Sequence, residues 1–247
     1  MTLYKATVRG CTQLQMVSQQ ALVMARMHRF REAVAVEAPA PVSHEDVLTM
    51  LSRMWALPWD NQRKELLWRL VLNGLPTAAR MDMTGEACQC GAMAPGCRHH
   101  FWECPAAVAV RNVLEQHLGG GVRCDHVWMT RVPREGLHTG VWRVVALAAL
   151  LGMDKARRAL CRWRLSAEHG PVQQQQHQGH EQPPPPVDMQ VSIAAKVAVA
   201  TFWDMLNDFV ALRKDPPTWR QALPRNHPLI GPSLARDALV VRRLQQQ

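Results

Sequence analysis

The residues best suited to chemistry are crowded into one stretch, Glu86–Pro105, which reads EACQCGAMAPGCRHHFWECP. It holds four of the chain's seven cysteines, Cys88, Cys90, Cys97 and Cys104, and two of its eleven histidines, His99 and His100. Thiolates and imidazoles are the ligands of tetrahedral zinc, commonly delivered by one tight turn and a second segment folded back on it. Cys88 and Cys90 bracket Gln89 and lead into Gly91, whose tolerance of positive φ lets the chain curl until both sulfurs face one point. In an extended strand they would point to opposite faces. Cys104 directly precedes Pro105, a residue suited to the first position of a helix, so a helix N-terminus would favour the thiolate that zinc requires. On residue type and spacing alone, His99 and His100 compete for the fourth position, and Cys97 can replace either. Inert buried thiols are the plain alternative. Six ligand-type side chains within one Gly- and Pro-containing loop favour metal over it. A redox pair at Cys88 and Cys90 lacks the βαβ surroundings such a pair uses.

Other chemistry is absent from the sequence. Two-metal polymerases need clustered carboxylates, yet no Asp-Asp pair occurs and the only tyrosine, Tyr4, is followed by Lys5, Ala6 and Thr7. No Gly-x-Ser-x-Gly nucleophile motif is present. The stretch KDPPTW, Lys214–Trp219, lacks the spaced acids of a nuclease. The chain therefore reads as non-catalytic. Its 29 lysines and arginines against 20 acids give a formal charge of +9, which favours polyanionic partners, RNA or DNA. The densest basic stretch is KARRALCRWR, where Arg157, Arg158 and Arg162 are helical neighbours, with Arg164 following beside Trp163. A solvated helix face around a core tryptophan accounts for that pattern slightly better.

Beyond the cysteines, LLWRLVLNGLPTAARM (Leu66–Met81), CQCG (Cys88–Gly91) and HHFWECP (His99–Pro105) follow Trp55 and Leu57 in a set order. Together these pieces resemble the zinc-binding region downstream of the polymerase domain in non-LTR retrotransposon reverse transcriptases. The resemblance covers about Trp55 to Leu118. It implies a zinc-binding accessory module that helps hold RNA or DNA near a polymerase domain encoded elsewhere. The family's spacing between its histidine and last cysteine selects Cys88, Cys90, His99 and Cys104 as Zn²⁺ ligands, with Cys97 and His100 in reserve. The chain departs from the family in carrying one residue, Gln89, between the first cysteines where the family carries two. Arg80 and Arg98 flank the knuckle and join Arg157, Arg158, Arg162 and Arg164 as candidate nucleic-acid contacts. The rival readings are a helical protein-interaction module with structural zinc, and a degenerate retroelement remnant.

The elements that must position these residues read as all-α: a helical bundle carrying a small irregular zinc knuckle. An N-terminal segment, 1–42, is helical from about Thr12 to Glu37. The zinc-binding region, 43–118, opens with Ser43 as N-cap and Asp46 three residues on, before an apolar face of Val47, Leu48, Met50, Leu51 and Met54. A helix from Asp60 to Leu72 buries Leu66, Leu67, Leu70 and Val71 and ends at Asn73-Gly74, and Pro105 to Leu118 forms another, closed by Gly119–Gly121. Residues 119–169 contain one long helix from Gly140 to Ser166, apolar first and basic later. Residues 170–186, rich in Gln and Pro, read as a disordered linker. In 187–247 a helix from Val187 to Lys214 carries Val197, Ala200, Thr201, Asp204 and Met205 at helical spacing, then a proline-punctuated irregular tail. Trp68, Trp102, Met24 and Met27 read as core packing. No apolar run is long enough to span a bilayer and no secretory signal opens the chain, so an intracellular location, nuclear or cytoplasmic, is expected.

Overall fold

The computed structural model describes residues 8–83, 85–169, 185–211, 228–232 and 239–241. About two thirds of them are helical. The helices are α1 (Val8–Ala35), α2 (His44–Trp55), α3 (Asn61–Val71), α4 (Pro105–Leu118), α5 (Cys124–Trp128), α6 (Thr139–His169) and α7 (Val187–Ala211). A π-helical turn, His99–Glu103, runs into α4. Most of the 170–186 linker lies outside the described residues, as does much of the tail. Within the tail, β1 (Ile230–Pro232) pairs antiparallel with β2 (Leu239–Val241), a short ribbon where irregular chain was expected.

Local chemistry sets the helix ends. Ser43 and Asp46 form a reciprocal capping box, the Ser43 hydroxyl accepting from the Asp46 N–H and the Asp46 carboxylate from the Ser43 N–H. Asp60 caps α3 by accepting from the Arg63 N–H at 2.9 Å. At the other end of α3 the left-handed residue is Asn73, at φ 48°. Its N–H reaches Leu70 O, and the Gly74 N–H reaches Arg69 O at 2.6 Å, which together make a Schellman closure. Pro105 opens α4, and Gly119 at φ 81° closes it.

Tertiary packing decides which faces are covered. The first half of α6, Val141 to Leu150, is buried on nearly every side, as befits a helix apolar all round. Gly152 sits where α7 crosses it, so close that a Cβ there would lie 2.5 Å from Ala198 O. On α7 the buried stripe includes Ala194, Ala198, Phe202, Leu206 and Phe209, whereas Ala200 and Asp204, two of the residues at helical spacing, are exposed. Leu48, Met24 and Trp68, expected to pack inside, are 49%, 41% and 39% exposed, whereas Met27 and Trp102 are buried. One apolar core runs through the segments read separately from the sequence, from Met27 on α1 to Ile230 on β1. Phe30 of α1 stacks on Trp128 of α5 at 5.5 Å, and Trp59 meets Phe209 of α7 edge-on at 5.3 Å. No described helix is long and apolar enough to cross a membrane.

Candidate metal centre

Cys88, Gln89, Cys90 and Gly91 form a turn in which the Gly91 N–H donates to Cys88 O at 2.8 Å. The Cys88 N–H then reaches Ala92 O, also at 2.8 Å, and a bridge between Ala87 and Met93 closes a small hairpin. Gly91 stands at φ 91°, the left-handed position that follows such a turn and that glycine fills without strain. The hairpin tip aims both thiols to one side, and amide N–H groups of Cys90 and Ala92 approach the Cys88 and Cys90 sulfurs respectively.

The second half is set by the π-helical turn. In an α-helix, residues five apart differ by roughly 140° around the axis, at about 100° per residue. The wider turn, closed by the Cys104 N–H on His99 O at 2.7 Å, returns Cys104 toward the side occupied by His99. Cys104 then stands at the N-terminus of α4, where the Ala106 N–H meets its sulfur. The result is one group, Cys88, Cys90, His99 and Cys104, whose ligand atoms all lie within 4.8 Å of one another. Cys90 Sγ and His99 Nε2 are 3.3 Å apart. These are the four residues that the family resemblance selected, and the donor set can hold a metal ion.

The surroundings shift the three thiols in different directions. The Cys104 thiol is held below its ordinary range by its hydrogen bond from Cys88, and the helix N–H adds to this against the opposing effect of burial. Cys88 is pushed up to about 12 by that same hydrogen bond and by burial. Burial also raises Cys90. Cys88 and Cys90 therefore hold their protons more tightly than free thiols, and a metal ion at the centre of the group would have to displace them.

The two reserve ligands lie elsewhere. Cys97 donates toward Asn73 Oδ1 at 3.7 Å, and burial pushes its thiol up to about 11. His100 is 6% exposed, turned from His99 with ring centroids 5.3 Å apart. Burial, the neighbouring His99 and nearby arginines pull it down to about 3.

A carboxylate from α1's end anchors the second half. Glu37 accepts from Arg98 Nη2 at 2.6 Å, from Trp102 Nε1 at 2.8 Å and from the Cys124 N–H at 3.2 Å. Arg98 also pairs with Glu103 at 2.6 Å and donates to Ala33 O at 2.5 Å. Arg98 is therefore committed to fixing the knuckle on α1. Arg157 is likewise turned inward: 6% exposed, it bonds Asp154 at 2.8 Å and Pro76 O at 3.1 Å. Arg164 pairs with Glu86 on the hairpin, joining α6 to the metal group's first half. Arg80, Arg158 and Arg162 are exposed, Arg158 while pairing with Asp154 at 2.9 Å. The role of Glu37 was not visible in the sequence, since its partners lie more than sixty residues away.

No family model, curated protein or solved structure matches this chain.

Proposed function

We propose that the chain is a non-catalytic zinc-binding accessory module, of a protein similar to non-LTR retrotransposon reverse transcriptases, that contacts RNA or DNA. The observation that carries this reading is the closed Cys₃His group. Four protein ligands leave no position open for a substrate or an activated water, which is the pattern of a structural zinc rather than a catalytic one. The spacing suits zinc: at Zn–S and Zn–N lengths of about 2.3 and 2.0 Å, a tetrahedral S···N edge is roughly 3.5 Å, near the 3.3 Å between Cys90 and His99. Three soft thiolates and one imidazole select zinc over the hard cations calcium and magnesium. The +9 charge and the exposed Arg80, Arg158 and Arg162 support a phosphate-bearing partner.

The test is a binding titration of the zinc-loaded full chain with single-stranded and duplex RNA and DNA over a salt series. The reading expects log K to fall linearly with log salt, and less steeply once Arg158 and Arg162 are changed to Ala. Absent binding, or binding indifferent to salt, would remove the nucleic-acid role and leave a helical protein-interaction module held together by its metal.

A further inference from the structure

Where α1 meets the loop that follows α3 lies a cavity of about 260 Å³ that the metal reading leaves unused. Three arginines line it, Arg29, Arg80 and Arg98, and no aspartate or glutamate does. Arg98 is committed to Glu37 and Glu103. Arg29 and Arg80 are exposed, and neither pairs with a carboxylate among the described residues. The Arg80 guanidinium makes one long hydrogen bond, from Nη1 to Gly74 O at 3.4 Å. Two guanidinium groups therefore share one cavity lining without a counter-charge of their own.

The neighbouring side chains sharpen the choice of ligand. Asn73 turns its Oδ1 to the Cys97 thiol at 3.7 Å, which leaves its amide NH₂ without an acceptor among the described residues. A lining with guanidinium and amide donors and no carboxylate selects an anion that carries several acceptor oxygens. Phosphate is the match, since the planar fork of an arginine can engage two of its oxygens at once. Phe30 and Leu70, both buried, supply apolar surface on which the sugar beside a phosphate can lie. Two other cavities lack this bias. One of about 320 Å³, with His100 in its wall, is mostly apolar, and its arginines, Arg157 and Arg164, pair with Asp154 and Glu86. Another, of about 420 Å³ between α3 and α6, sets Glu65 and Asp154 among its arginines.

We propose that the 260 Å³ cavity holds one phosphate group of a nucleic-acid strand, with Arg29 and Arg80 both bonded to it and the Asn73 amide adding a neutral donor. The site adjoins the metal centre, because Gly96, Cys97 and Arg98, which also line the cavity, run directly into the ligand His99. Arg29 joins it only through the packing of α1 against this loop, so nothing in its sequence neighbourhood marks it. The inference rests on the nucleic-acid reading above and deepens it by placing one phosphate. Free inorganic phosphate offers the same chemistry, and the test separates the two sources.

The experiment titrates the zinc-loaded full chain with a short single strand over a salt series and, separately, with inorganic phosphate by calorimetry. Arg29→Ala combined with Arg80→Ala should weaken the strand roughly tenfold, the worth of one charged hydrogen-bonded contact, at unchanged zinc content. Because both arginines meet one phosphate, the double change should lower the salt slope by about 0.7, the share of one phosphate on a single strand, whereas two separate phosphates would give about 1.4. Ala79→Glu, at an exposed position of the lining, should set a carboxylate beside the anion and weaken the strand, while Ala79→Gln, of the same size, should not. Strand binding that responds in this way supports the site, with or without measurable heat from inorganic phosphate. A slope loss near 1.4, about twice the single-strand share of one phosphate, overturns the shared site, as does equal binding by Ala79→Glu and Ala79→Gln. Strand affinity and slope untouched by the double change overturn the cavity while the nucleic-acid reading stands. Phosphate bound without the strand overturns the strand as the source, together with the function above, and assigns the cavity to free phosphate. Absent binding of both ligands overturns this inference and the function it rests on.

Discussion

Glu37 offers the sharpest test of how the second half of the metal centre is held. Its carboxylate accepts from Trp102 Nε1, the Cys124 N–H and Arg98, and both Trp102 and Cys124 are essentially fully buried. Glu37→Ala strands two buried donors. At about 1–3 kcal/mol for each unsatisfied group, the loss should be near 3 kcal/mol. Arg98 adds little, because it keeps Glu103 and Ala33 O and is partly in contact with solvent. Glu37→Gln retains one good acceptor oxygen and should cost about half as much. Trp102 lies in the π-helical turn between His99 and Cys104, so its release should also loosen the ligand geometry, weakening zinc about tenfold. Urea unfolding followed by circular dichroism gives the first quantity, and competition with a chelating zinc indicator gives the second. Glu103→Ala is the control: it removes a half-exposed partner of the same arginine and should stay within about 0.5 kcal/mol. If Glu37→Ala matches Glu103→Ala in both stability and zinc affinity, the anchoring role assigned to Glu37 is wrong.

Two further outcomes follow from the fold. Gly152→Ala would put a Cβ 2.5 Å from Ala198 O and 3.3 Å from Phe202 N, so α6 and α7 must move apart. The overpacking cost of about 1–3 kcal/mol should outweigh the roughly 1 kcal/mol gained in helix propensity, and an unchanged or raised urea midpoint would contradict it. Ser43→Ala should cost about 1 kcal/mol at neutral pH by removing the α2 cap. Hydrogen bonds from the Ser43 backbone and side chain hold Asp46 below the ordinary carboxylate range. A depressed carboxyl adds stability above its unfolded value that is lost as pH falls through the folded one. The gap between the native chain and Ser43→Ala should therefore shrink as pH falls below the ordinary carboxylate range, whereas a gap independent of pH would mean the Ser43 hydroxyl does not help hold Asp46 ionised.

What the sequence revealed was what neighbours along the chain decide. The Ser43, Asp60, Pro105 and Gly119 boundaries are read from a few adjacent residues, and so is the curl at Cys88-Gln89-Cys90-Gly91. Burial was less legible where a helix is apolar on several sides. On α7 the choice between Ala198 and Ala200 rests on where α6 lies, and no periodicity within α7 states it. Leu48, Met24 and Trp68 are apolar residues that the described elements leave partly exposed. The fate of the arginines was hidden for the same reason: Arg98 and Arg157 look cationic in sequence, but Glu37 and Asp154 turn them inward. Residue type left His99 and His100 as equals. The π-helical turn separates them, pointing His99 to the cysteines and His100 to the wall of the apolar cavity. The five-residue helix α5 carries no periodic signal of its own, and it is fixed by Phe30 stacking on Trp128 and by Trp142 Nε1 bonding His126 O at 2.9 Å.

The central claim is that Cys88, Cys90, His99 and Cys104 form one closed metal centre, and zinc content by native mass spectrometry across single substitutions tests it most directly. The unaltered chain, Cys97→Ala and His100→Phe should each carry a single zinc ion. Changing any one of the four ligands to Ala should abolish stoichiometric binding, with local unfolding of the knuckle, since structural zinc in small modules is worth an apparent ~10–16 kcal/mol at neutral pH. Retention of tight zinc by Cys104→Ala, or its loss in Cys97→Ala, would contradict the ligand set.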